Sequence, residues 1–373
     1  MKQYFFIIIL LALMLLTLTG CKKESKETQK EGRKEENKQE VSIVPEDKDT
    51  VNTDSEGASH DQKEDPVNFV LKNGTVVSEK MESVALADNL AREKITPSIY
   101  IYLPPTYHES EKRYPVIYYL HGYGESAMGF IDSVQNELDQ AFSKDSSKEF
   151  ILVAVEGASP LGGSFYVNSP VIGKWEDYTS KEVVSYVDKS YKTIANANSR
   201  GICGFSMGGF GALNLAFLHP DVYGAVYSMS PGVLAPGKIG DALDSWEYDI
   251  SFLKAYSMAF AYNTKEPYDT TPLRDGSKKD NELIKRWESG FGNWEEKIKN
   301  YQKKNKPLIS IGMLYGTSDS YKWIPQGTEY LSSLLNEKGI KHSLISVQGG
   351  HNIPFEATTN YILPFFQKNL YWE

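Results

Sequence analysis

The chain has 373 residues, longer than one average domain but within reach of a single α/β domain with insertions. Its hydrophobic residues, 40% of the total, are enough for a sizeable core. The formal net charge of −9 and the absence of a basic stripe argue against a nucleic-acid-binding protein, because such proteins must neutralise phosphates.

The N-terminus resembles the secretion signal of a bacterial lipoprotein. Lys2 supplies a positive start, and the apolar run from Phe5 to Leu18 that follows is short for a membrane-spanning helix. Next comes Leu18-Thr19-Gly20-Cys21, which resembles a lipobox, where the signal is cut before the cysteine and the thiol receives diacylglycerol. The resemblance implies a signal peptide over residues 1–20, a lipid on Cys21 and a location on the extracytoplasmic face of the cell membrane. An uncleaved N-terminal anchor is the alternative.

A polar segment over residues 21–65 separates this signal from the rest of the chain. Lys, Glu, Asp, Gln, Ser and Asn dominate it, and such a composition cannot bury enough apolar surface to offset the entropy lost on ordering. We therefore predict a disordered charged tether with a root-mean-square reach of roughly 35–40 Å. The tether would hold the folded domain, predicted over residues 66–373, clear of the lipid surface.

Neither the cysteines nor the histidines predict a disulfide, a metal site or a cofactor. Lipidation would consume Cys21, and an exported protein with one remaining thiol has no internal disulfide. That thiol, Cys203, lies in an apolar run, which favours a small buried side chain over a reactive group. The histidines are scattered, and Gly122 and Gly124 lack the third glycine and the acidic residue of a dinucleotide-binding loop.

From residue 66 onward the chain predicts strands that alternate with helices. Val76-Val77 and Ser83-Val84-Ala85-Leu86 suggest paired strands at one edge. Further strands are predicted over Ser98 to Leu103, Tyr114 to Leu120, Phe150 to Val155, Ile202 to Phe205, Ala225 to Met229, Leu308 to Tyr315 and His342 to Val347. Helices are predicted over Lys181 to Tyr191, Gly208 to Leu218 and Gly327 to Lys338. This alternation indicates an α/β fold with a mostly parallel twisted sheet, helices on both faces, and an antiparallel N-terminal edge.

Residues 232–305 interrupt the alternation. They are rich in Tyr, Trp, Lys and Asp and contain no convincing strand. We predict a helical insertion after the sixth strand, which would cover one end of the sheet as a lid. Its aromatic side chains could line a platform for a sugar or aryl group, or could instead pack the insertion onto the domain: Tyr256, Tyr262, Tyr268, Trp287, Phe291 and Trp294.

Ser206 is the predicted nucleophile. It lies at the centre of Gly204-Phe205-Ser206-Met207-Gly208, between a predicted strand and a predicted helix. This arrangement is typical of the nucleophile elbow of α/β-hydrolases, in which the serine occupies a strained turn and the glycines allow close approach of neighbouring backbone.

A serine hydroxyl needs a base, and the base needs an acid that fixes its tautomer. His351 follows the last predicted strand at the carboxyl edge of the sheet, where the Ser…Asp…His order of this fold places the base. Asp319 ends the strand before it and is the predicted acid. The alternatives for the acid are Asp241, Asp244, Asp249 and Glu356.

Two backbone N–H groups are the predicted oxyanion donors. The N–H of Met207 follows the nucleophile at a helix start, where the partial positive charge also helps. The second should come from His121-Gly122-Tyr123-Gly124, in which the N–H of Tyr123 is best placed. The position of His121 in this motif indicates a structural role in shaping the loop rather than a role as base.

The chain resembles a known family in several segments, namely Tyr102 to Tyr107, Tyr114 to Gly122, Trp175-Glu176-Asp177-Tyr178, Gly204 to Gly209, Asp319 and Gly350-His351. They are similar to the "Putative esterase" family of feruloyl and acetyl-xylan esterases, enterochelin esterases, S-formylglutathione hydrolase and mycolyltransferases. The resemblance covers roughly residues 75 to 370 and implies the same triad and oxyanion donors. This chain departs from the family pattern in the insertion over 232–305. The substrate specificity of the family members therefore cannot be transferred to this chain.

These patterns predict a serine carboxylic-ester hydrolase that works through an acyl-enzyme. The family resemblance favours an acylated carbohydrate with acetyl or feruloyl groups, or an ester-linked siderophore, as the substrate. Trp175 and Trp287 are the predicted substrate contacts. The alternatives are an acyltransferase with the same triad and a non-catalytic surface-binding lipoprotein with a hydrolase fold.

Overall fold

The structure is a computed structural model that describes residues 72–354 and 356–372. The predicted signal peptide, the lipidation site at Cys21 and the predicted tether lie outside the described residues. Among the helices that are described, none combines the length and the apolar character that crossing a bilayer requires.

An eight-stranded sheet forms the centre of the domain, in the order β1-β2-β4-β3-β5-β6-β7-β8. β2 runs antiparallel to its neighbours β1 and β4, and the other neighbouring pairs are parallel. The strands are β1 (Thr75–Lys80), β2 (Ser98–Leu103), β3 (Val116–Leu120), β4 (Ile151–Val155), β5 (Arg200–Phe205), β6 (Ala225–Met229), β7 (Ser310–Gly316) and β8 (Ser343–Val347). A separate two-residue pair joins Asn168–Ser169 to Gly173–Lys174. The predicted mostly parallel sheet with an antiparallel N-terminal edge is confirmed.

Ten α-helices lie among the described residues, together with shorter helical turns. The helices are α1 (Val84–Ala87), α2 (Ala127–Lys144), α3 (Val184–Ser190), α4 (Met207–Leu218), α5 (Ile239–Ser245), α6 (Ile250–Phe260), α7 (Lys278–Phe291), α8 (Trp294–Gln302), α9 (Trp323–Glu337) and α10 (Leu363–Asn369). The shorter turns are the α-helical turn Trp175–Asp177, the π-helical turns Tyr178–Val183 and Thr358–Ile362, and the 3₁₀ turns Ser146–Lys148 and Ala197–Ser199. Residues 232–305, predicted to be a helical insertion after the sixth strand, hold α5 to α8 and no strand.

The predicted strand over Ser83 to Leu86 is wrong, because this segment forms helix α1. The side chain of Ser83 accepts a hydrogen bond from the N–H of Leu86 and thereby caps the helix N-terminus. A second N–H of the first turn, that of Ala85, donates to Glu182 Oε1 at 2.9 Å. The capping serine outweighs the strand preference of the adjacent valine, and β1 pairs with β2 instead.

The central strands are buried on both faces, which explains why they are continuous apolar runs. Along β3, Tyr118 belongs to the hydrophobic core on one side of the sheet, and Tyr119 belongs to the core on the other side. Cys203 on β5 is fully buried, and burial raises the pKa of its thiol. The sheet is therefore a rigid support for the loops at its carboxyl edge.

A lysine of α8 caps the C-terminus of α7. Lys297 Nζ lies 3.1, 3.2 and 2.5 Å from the carbonyl oxygens of Ser289, Gly290 and Gly292, and 5.3 Å from the ring centroid of Trp294. The last carbonyl groups of a helix have no partner inside the helix, so a cation placed there satisfies them and complements the helix dipole. This contact ties α7 to α8 within the insertion.

Replacing Lys297 by methionine is expected to lower the free energy of unfolding by about 2–3 kcal/mol, because the carbonyl oxygens of the buried residues Gly290 and Gly292 lose their donor. Burial lowers the pKa of Lys297 to about 8. Between pH 8 and the ordinary lysine pKa of about 10.4, the unfolded chain therefore binds more protons than the folded one, so wild-type stability gains a contribution that rises with pH. Denaturant unfolding at pH 7 and pH 10 measures the loss, which should be larger at pH 10.

The matched control is Lys299→Met on the same helix, where the lysine side chain is largely exposed and lies 3.7 Å from Glu296. An exposed pair of this kind contributes at most about 1 kcal/mol. Equal losses for the two variants would show that the carbonyl contacts of Lys297 do not stabilise the insertion.

Candidate active site

Ser206 sits on a strained turn between β5 and α4. Its φ is +53° and its ψ is −113°, a conformation that non-glycine residues rarely adopt. The turn is held by the Ser206 N–H, which donates to the carbonyl oxygen of Met229 at 2.9 Å. A Cβ atom on Gly208 would lie 2.0 Å from the Leu120 carbonyl oxygen, and one on Gly204 would lie 2.3 Å from the Gly208 carbonyl oxygen. The two glycines are therefore required by the close packing of the turn against β3.

The structure brings the three predicted triad residues into one hydrogen-bonded chain. Ser206 Oγ lies 2.9 Å from His351 Nε2, and His351 Nδ1 lies 2.8 Å from Asp319 Oδ2. Asp319 is fully buried, and its second oxygen accepts the N–H of Tyr321 at 2.8 Å. The geometry lets His351 accept the serine proton at one nitrogen while the carboxylate holds the proton on the other.

The alternative acids make other contacts. Asp241 pairs with Lys238 at 3.0 Å, Asp244 pairs with Arg274, and Asp249 caps the N-terminus of α6. The Nδ1 atom that an acid must hold is already bound to Asp319, so nothing in the geometry favours the remaining alternative, Glu356.

The two predicted oxyanion donors lie beside the nucleophile. Met207 is the first residue of α4, and Met207 and Tyr123 line the same cavity as Ser206 and His351. Within the described ranges, neither backbone N–H donates to another protein atom. Both are therefore available to a bound oxygen atom.

His121 is fully buried and lies beneath the loop that contains Tyr123. Its Nδ1 is 2.7 Å from the carbonyl oxygen of Gly122, and its Nε2 is 2.9 Å from the N–H of Gly157 and 2.7 Å from Glu156 Oε1. These contacts attach the loop to the end of β4. They agree with the predicted structural role of His121.

Tyr123 also connects the oxyanion loop to the insertion. Its hydroxyl donates to the carbonyl oxygen of Leu161 and lies 3.0 Å from Ser251 Oγ. Its ring packs edge-on against Phe252, with centroids 4.8 Å apart. Burial raises the pKa of the Tyr123 hydroxyl, which therefore remains a donor at neutral pH. The first turn of α6 thus contacts the side chain of a predicted oxyanion-loop residue.

Replacing Ser251 by alanine is expected to lower kcat for ester hydrolysis by about threefold to tenfold with little change in KM, because the oxyanion loop loses one support while the substrate contacts remain. Steady-state kinetics of Ser251→Ala, Tyr123→Phe and the double variant measure the coupling between the two hydroxyls. Ser251→Thr keeps the hydroxyl and should restore the rate. Additive effects, or a failure of threonine to rescue, would contradict this coupling.

A cavity of about 210 Å³ opens over Ser206 and His351. Its wall is largely aromatic and is made by Tyr123, Trp246, Phe252, Phe291, Tyr321 and Trp323. Three of these side chains belong to the insertion, so the insertion forms part of the site. The volume suits a small acyl or aryl group rather than a long chain.

The charge at the cavity is negative. Glu125 and Asp249 contribute carboxylates to the lining, and no lysine or arginine lines it in the part of the chain that the structure describes. No group of three or more histidine, cysteine or acidic side chains in the described ranges could hold a metal ion.

The predicted substrate contacts at Trp175 and Trp287 are wrong. Both side chains are fully buried, and neither lines the cavity. The indole N–H of Trp175 donates to the Ile172 carbonyl oxygen, and that of Trp287 donates to the Thr270 carbonyl oxygen, both at 2.9 Å. A tryptophan that is buried with its indole N–H hydrogen-bonded to a carbonyl oxygen has an ordinary role in core packing.

Of the aromatic residues predicted to form a platform in the insertion, only Phe291 reaches the cavity. Tyr256 and Trp294 are fully buried in the core. Four aromatic residues of the wall were not predicted from the sequence, namely Trp246, Phe252, Tyr321 and Trp323. For Tyr321 and Trp323 a signal exists, since they lie two and four residues after Asp319 at the carboxyl edge of the sheet, whereas Trp246 and Phe252 carry no such signal.

A family model described as "Putative esterase" matches residues 93–370 of this chain. An esterase of Mycobacterium tuberculosis is 31% identical over 127 residues, which are 32% of this chain and 26% of that protein. An "endo-1,4-beta-xylanase/feruloyl esterase" of Xylanibacter ruminicola is 30% identical over 154 residues, which are 38% of this chain and 20% of that protein. The chain thus spans about a quarter or less of the length of these curated relatives.

Solved structures resemble the fold over most of the chain. A ferulic acid esterase superposes with a TM-score of 0.55 at 21% identity, covering 80% of this chain and 99% of that one. An S-formylglutathione hydrolase from Agrobacterium tumefaciens gives a TM-score of 0.53 at 16% identity, covering 81% and 98%. At these identities the likeness concerns the fold, which is that of the α/β-hydrolases.

Proposed function

Because this chain belongs to the "Putative esterase" family, its folded part is a carboxylic-ester hydrolase domain, and we propose that the whole protein hydrolyses esters through an acyl-enzyme on Ser206. The observation that carries this proposal is the continuous hydrogen-bonded chain from Ser206 through His351 to Asp319, with distances of 2.9 and 2.8 Å. The strained turn, which exposes the hydroxyl to the cavity, supports it.

In the first half-reaction, Ser206 Oγ attacks the ester carbonyl while His351 Nε2 takes the hydroxyl proton. The negative charge that develops on the carbonyl oxygen is stabilised by the N–H groups of Met207 and Tyr123. Asp319 keeps the Nδ1 proton in place and stabilises the imidazolium. His351 then donates its proton to the leaving alcohol, and Ser206 carries the acyl group.

In the second half-reaction, water takes the place of the alcohol. His351 Nε2 removes a proton from the water, the oxygen attacks the acyl carbonyl, and the same two N–H groups stabilise the second oxyanion. Collapse of this intermediate returns the proton to Ser206 and releases the acid.

We propose an acylated carbohydrate, with acetyl or feruloyl groups, as the substrate class. The aromatic wall and the volume of about 210 Å³ support a small acyl or aryl group in the cavity. The name of the Xylanibacter ruminicola relative, which includes a feruloyl esterase, agrees with this class.

We also propose that the protein is a lipoprotein, anchored through Cys21 on the extracytoplasmic face of the cell membrane, with residues 21–65 as a tether. The lipobox-like Leu18-Thr19-Gly20-Cys21 supports this location. Metabolic labelling with a radioactive fatty acid and fractionation of cells test it. The wild type should carry label in the membrane fraction, and Cys21→Ser should not; label on both proteins would contradict the anchor.

Turnover of p-nitrophenyl acetate and methyl ferulate tests the proposed activity. We expect stoichiometric release of alcohol and acid, with saturation kinetics and a burst of p-nitrophenol where deacylation is slow. Addition of an acceptor alcohol distinguishes hydrolysis from acyl transfer, since a transferase would form the new ester in preference to the free acid. Absence of turnover on every ester would overturn the proposal.

A further inference from the structure

Five of the aromatic side chains that line the cavity over Ser206 form a continuous belt. In the order of their contacts, the members of this aromatic belt are Tyr123, Phe252, Trp246, Trp323 and Tyr321. The centroids of consecutive rings lie 4.8, 4.7, 5.4 and 6.2 Å apart. The last ring, that of Tyr321, lies 5.0 Å from the imidazole ring of His351. The aromatic belt therefore extends from the oxyanion loop to His351.

The rings of the aromatic belt are tilted against one another rather than stacked. The planes of consecutive rings differ by 41° to 84°. The face of an aromatic ring carries a negative electrostatic potential, which attracts a cation placed over it. Several rings tilted around one space resemble the aromatic cages that recognise quaternary ammonium groups.

Two carboxylates lie in the lining of the same cavity, those of Glu125 and Asp249. Glu125 accepts the Gly122 N–H at 2.8 Å through one oxygen, and Asp249 accepts the Phe252 N–H at 2.9 Å through one oxygen. Burial is the main reason that the pKa of the Tyr123 hydroxyl is raised, and the negative charge of Asp249 adds to it. The field of this carboxylate therefore reaches the aromatic belt.

No positive side chain of the described residues balances these charges within the cavity, because its lining contains no lysine or arginine. Lys322 lies between Tyr321 and Trp323 in sequence, but its Nζ donates to the Asp319 carbonyl oxygen at 2.7 Å and the residue does not line the cavity. A cleft that carries charge of one sign attracts groups of the opposite sign. The cavity thus combines an aromatic wall with a negative potential.

We propose that the protein also hydrolyses esters whose acyl group carries a quaternary ammonium, with the cation held in the aromatic belt. This proposal rests on the proposed esterase function and adds a second class of acyl group to it. The bond changes are the same: Ser206 Oγ displaces the alcohol, water then releases the acid from Ser206, and the C–N bonds of the ammonium stay intact. A quaternary ammonium has no N–H donors, so its burial among rings leaves no hydrogen bond unmade. An anionic acyl group would be repelled by both carboxylates.

The test compares two methyl esters of the same shape, methyl 4-(trimethylammonio)butanoate and methyl 5,5-dimethylhexanoate. They differ only in the quaternary atom, nitrogen or carbon, and a chain of methylene groups separates this atom from the carbonyl carbon. The carboxylates are exposed to solvent, which partly screens their attraction. The wild type should therefore show a kcat/KM about 5- to 20-fold higher for the cationic ester, and added salt should reduce the difference. Equal values, or a higher value for the neutral ester, would overturn the proposal.

Removal of the two charges measures their contribution. The double variant Glu125→Gln with Asp249→Asn keeps a side-chain oxygen for each backbone N–H that the carboxylates accept. It should lower the ratio of the two kcat/KM values to about twofold. Glu247→Gln is the matched control, because Glu247 is exposed and does not line the cavity, and it should leave the ratio unchanged. Equal ratios for the control and the double variant would overturn the assignment of the cation to this cavity.

Direct binding separates this proposal from the proposed esterase function. Calorimetric titration of choline and of its neutral isostere 3,3-dimethylbutan-1-ol into Ser206→Ala requires no turnover. Choline should bind at least about fivefold more tightly, and adding Glu125→Gln and Asp249→Asn should remove most of the difference. This result supports the cation site even if the wild type hydrolyses no ester, which would overturn the esterase function. Equal affinities for choline and its isostere would overturn the cation site, whether or not the wild type is an active esterase.

Discussion

Replacing Ser206 by alanine is expected to lower kcat for ester hydrolysis by about 10⁴-fold or more. Oxyanion stabilisation and substrate binding alone would provide the activity that remains. The reason is the loss of the only oxygen placed 2.9 Å from His351 Nε2 among the described residues. Without it no acyl-enzyme can form. Steady-state turnover of p-nitrophenyl acetate measures the loss, and labelling by a fluorophosphonate probe measures the nucleophile directly.

The variant should keep its fold, because alanine occupies the same strained φ of +53° and the turn is held by backbone contacts. Ser333→Ala is a suitable control, since this serine lies exposed on α9 and its hydroxyl donates to the Glu329 carbonyl oxygen. Retained turnover or retained labelling of Ser206→Ala, with an unchanged thermal midpoint, would refute Ser206 as the nucleophile.

Replacing Asp319 by asparagine is expected to lower kcat by about 10³- to 10⁴-fold with a small change in KM. The amide group of asparagine can donate to His351 Nδ1, which moves the imidazole proton to Nε2. In that tautomer His351 can no longer accept the proton of Ser206. The geometry of the site would otherwise change little, because Asp319 is fully buried and its second oxygen binds the Tyr321 N–H.

Glu356→Gln is the control for this prediction, because Glu356 is the alternative acid that follows His351 in sequence. We expect Glu356→Gln to keep nearly full activity. High activity of Asp319→Asn together with low activity of Glu356→Gln would transfer the acidic role to Glu356, and the contact between His351 and Asp319 would then be structural only.

Most of the fold could be predicted from sequence, because buried parallel strands are continuous apolar runs with turn residues at their ends. The prediction was wrong where side-chain contacts, one of them with a residue distant in sequence, decided the structure. At Ser83 to Leu86, the capping hydroxyl and the distant Glu182 satisfy the N–H groups of a helix. A contact with a residue almost one hundred positions away leaves no mark in the local pattern.

The candidate site likewise has a part that the sequence predicts and a part that it does not. The positions of Ser206, Asp319 and His351 follow from the order of strands and from the loops after them, and the structure brings these side chains together at the carboxyl edge of the sheet. The cavity wall does not follow from the sequence. An aromatic residue of the insertion can face the core or the site, and only packing decides which; Trp287 is buried, whereas Trp246 lines the cavity.

The sequence by itself thus determined the α/β-hydrolase class, the hydrogen-bonding order of the predicted triad and the expectation of a lipid anchor. These depend on local composition and on chain order, which are read directly along the chain. Only the tertiary structure decided which aromatic side chains line the cavity over Ser206, and that the hydroxyl of Tyr123 lies 3.0 Å from that of Ser251. These features depend on how the insertion packs against the sheet, and packing is set by contacts between residues far apart in sequence.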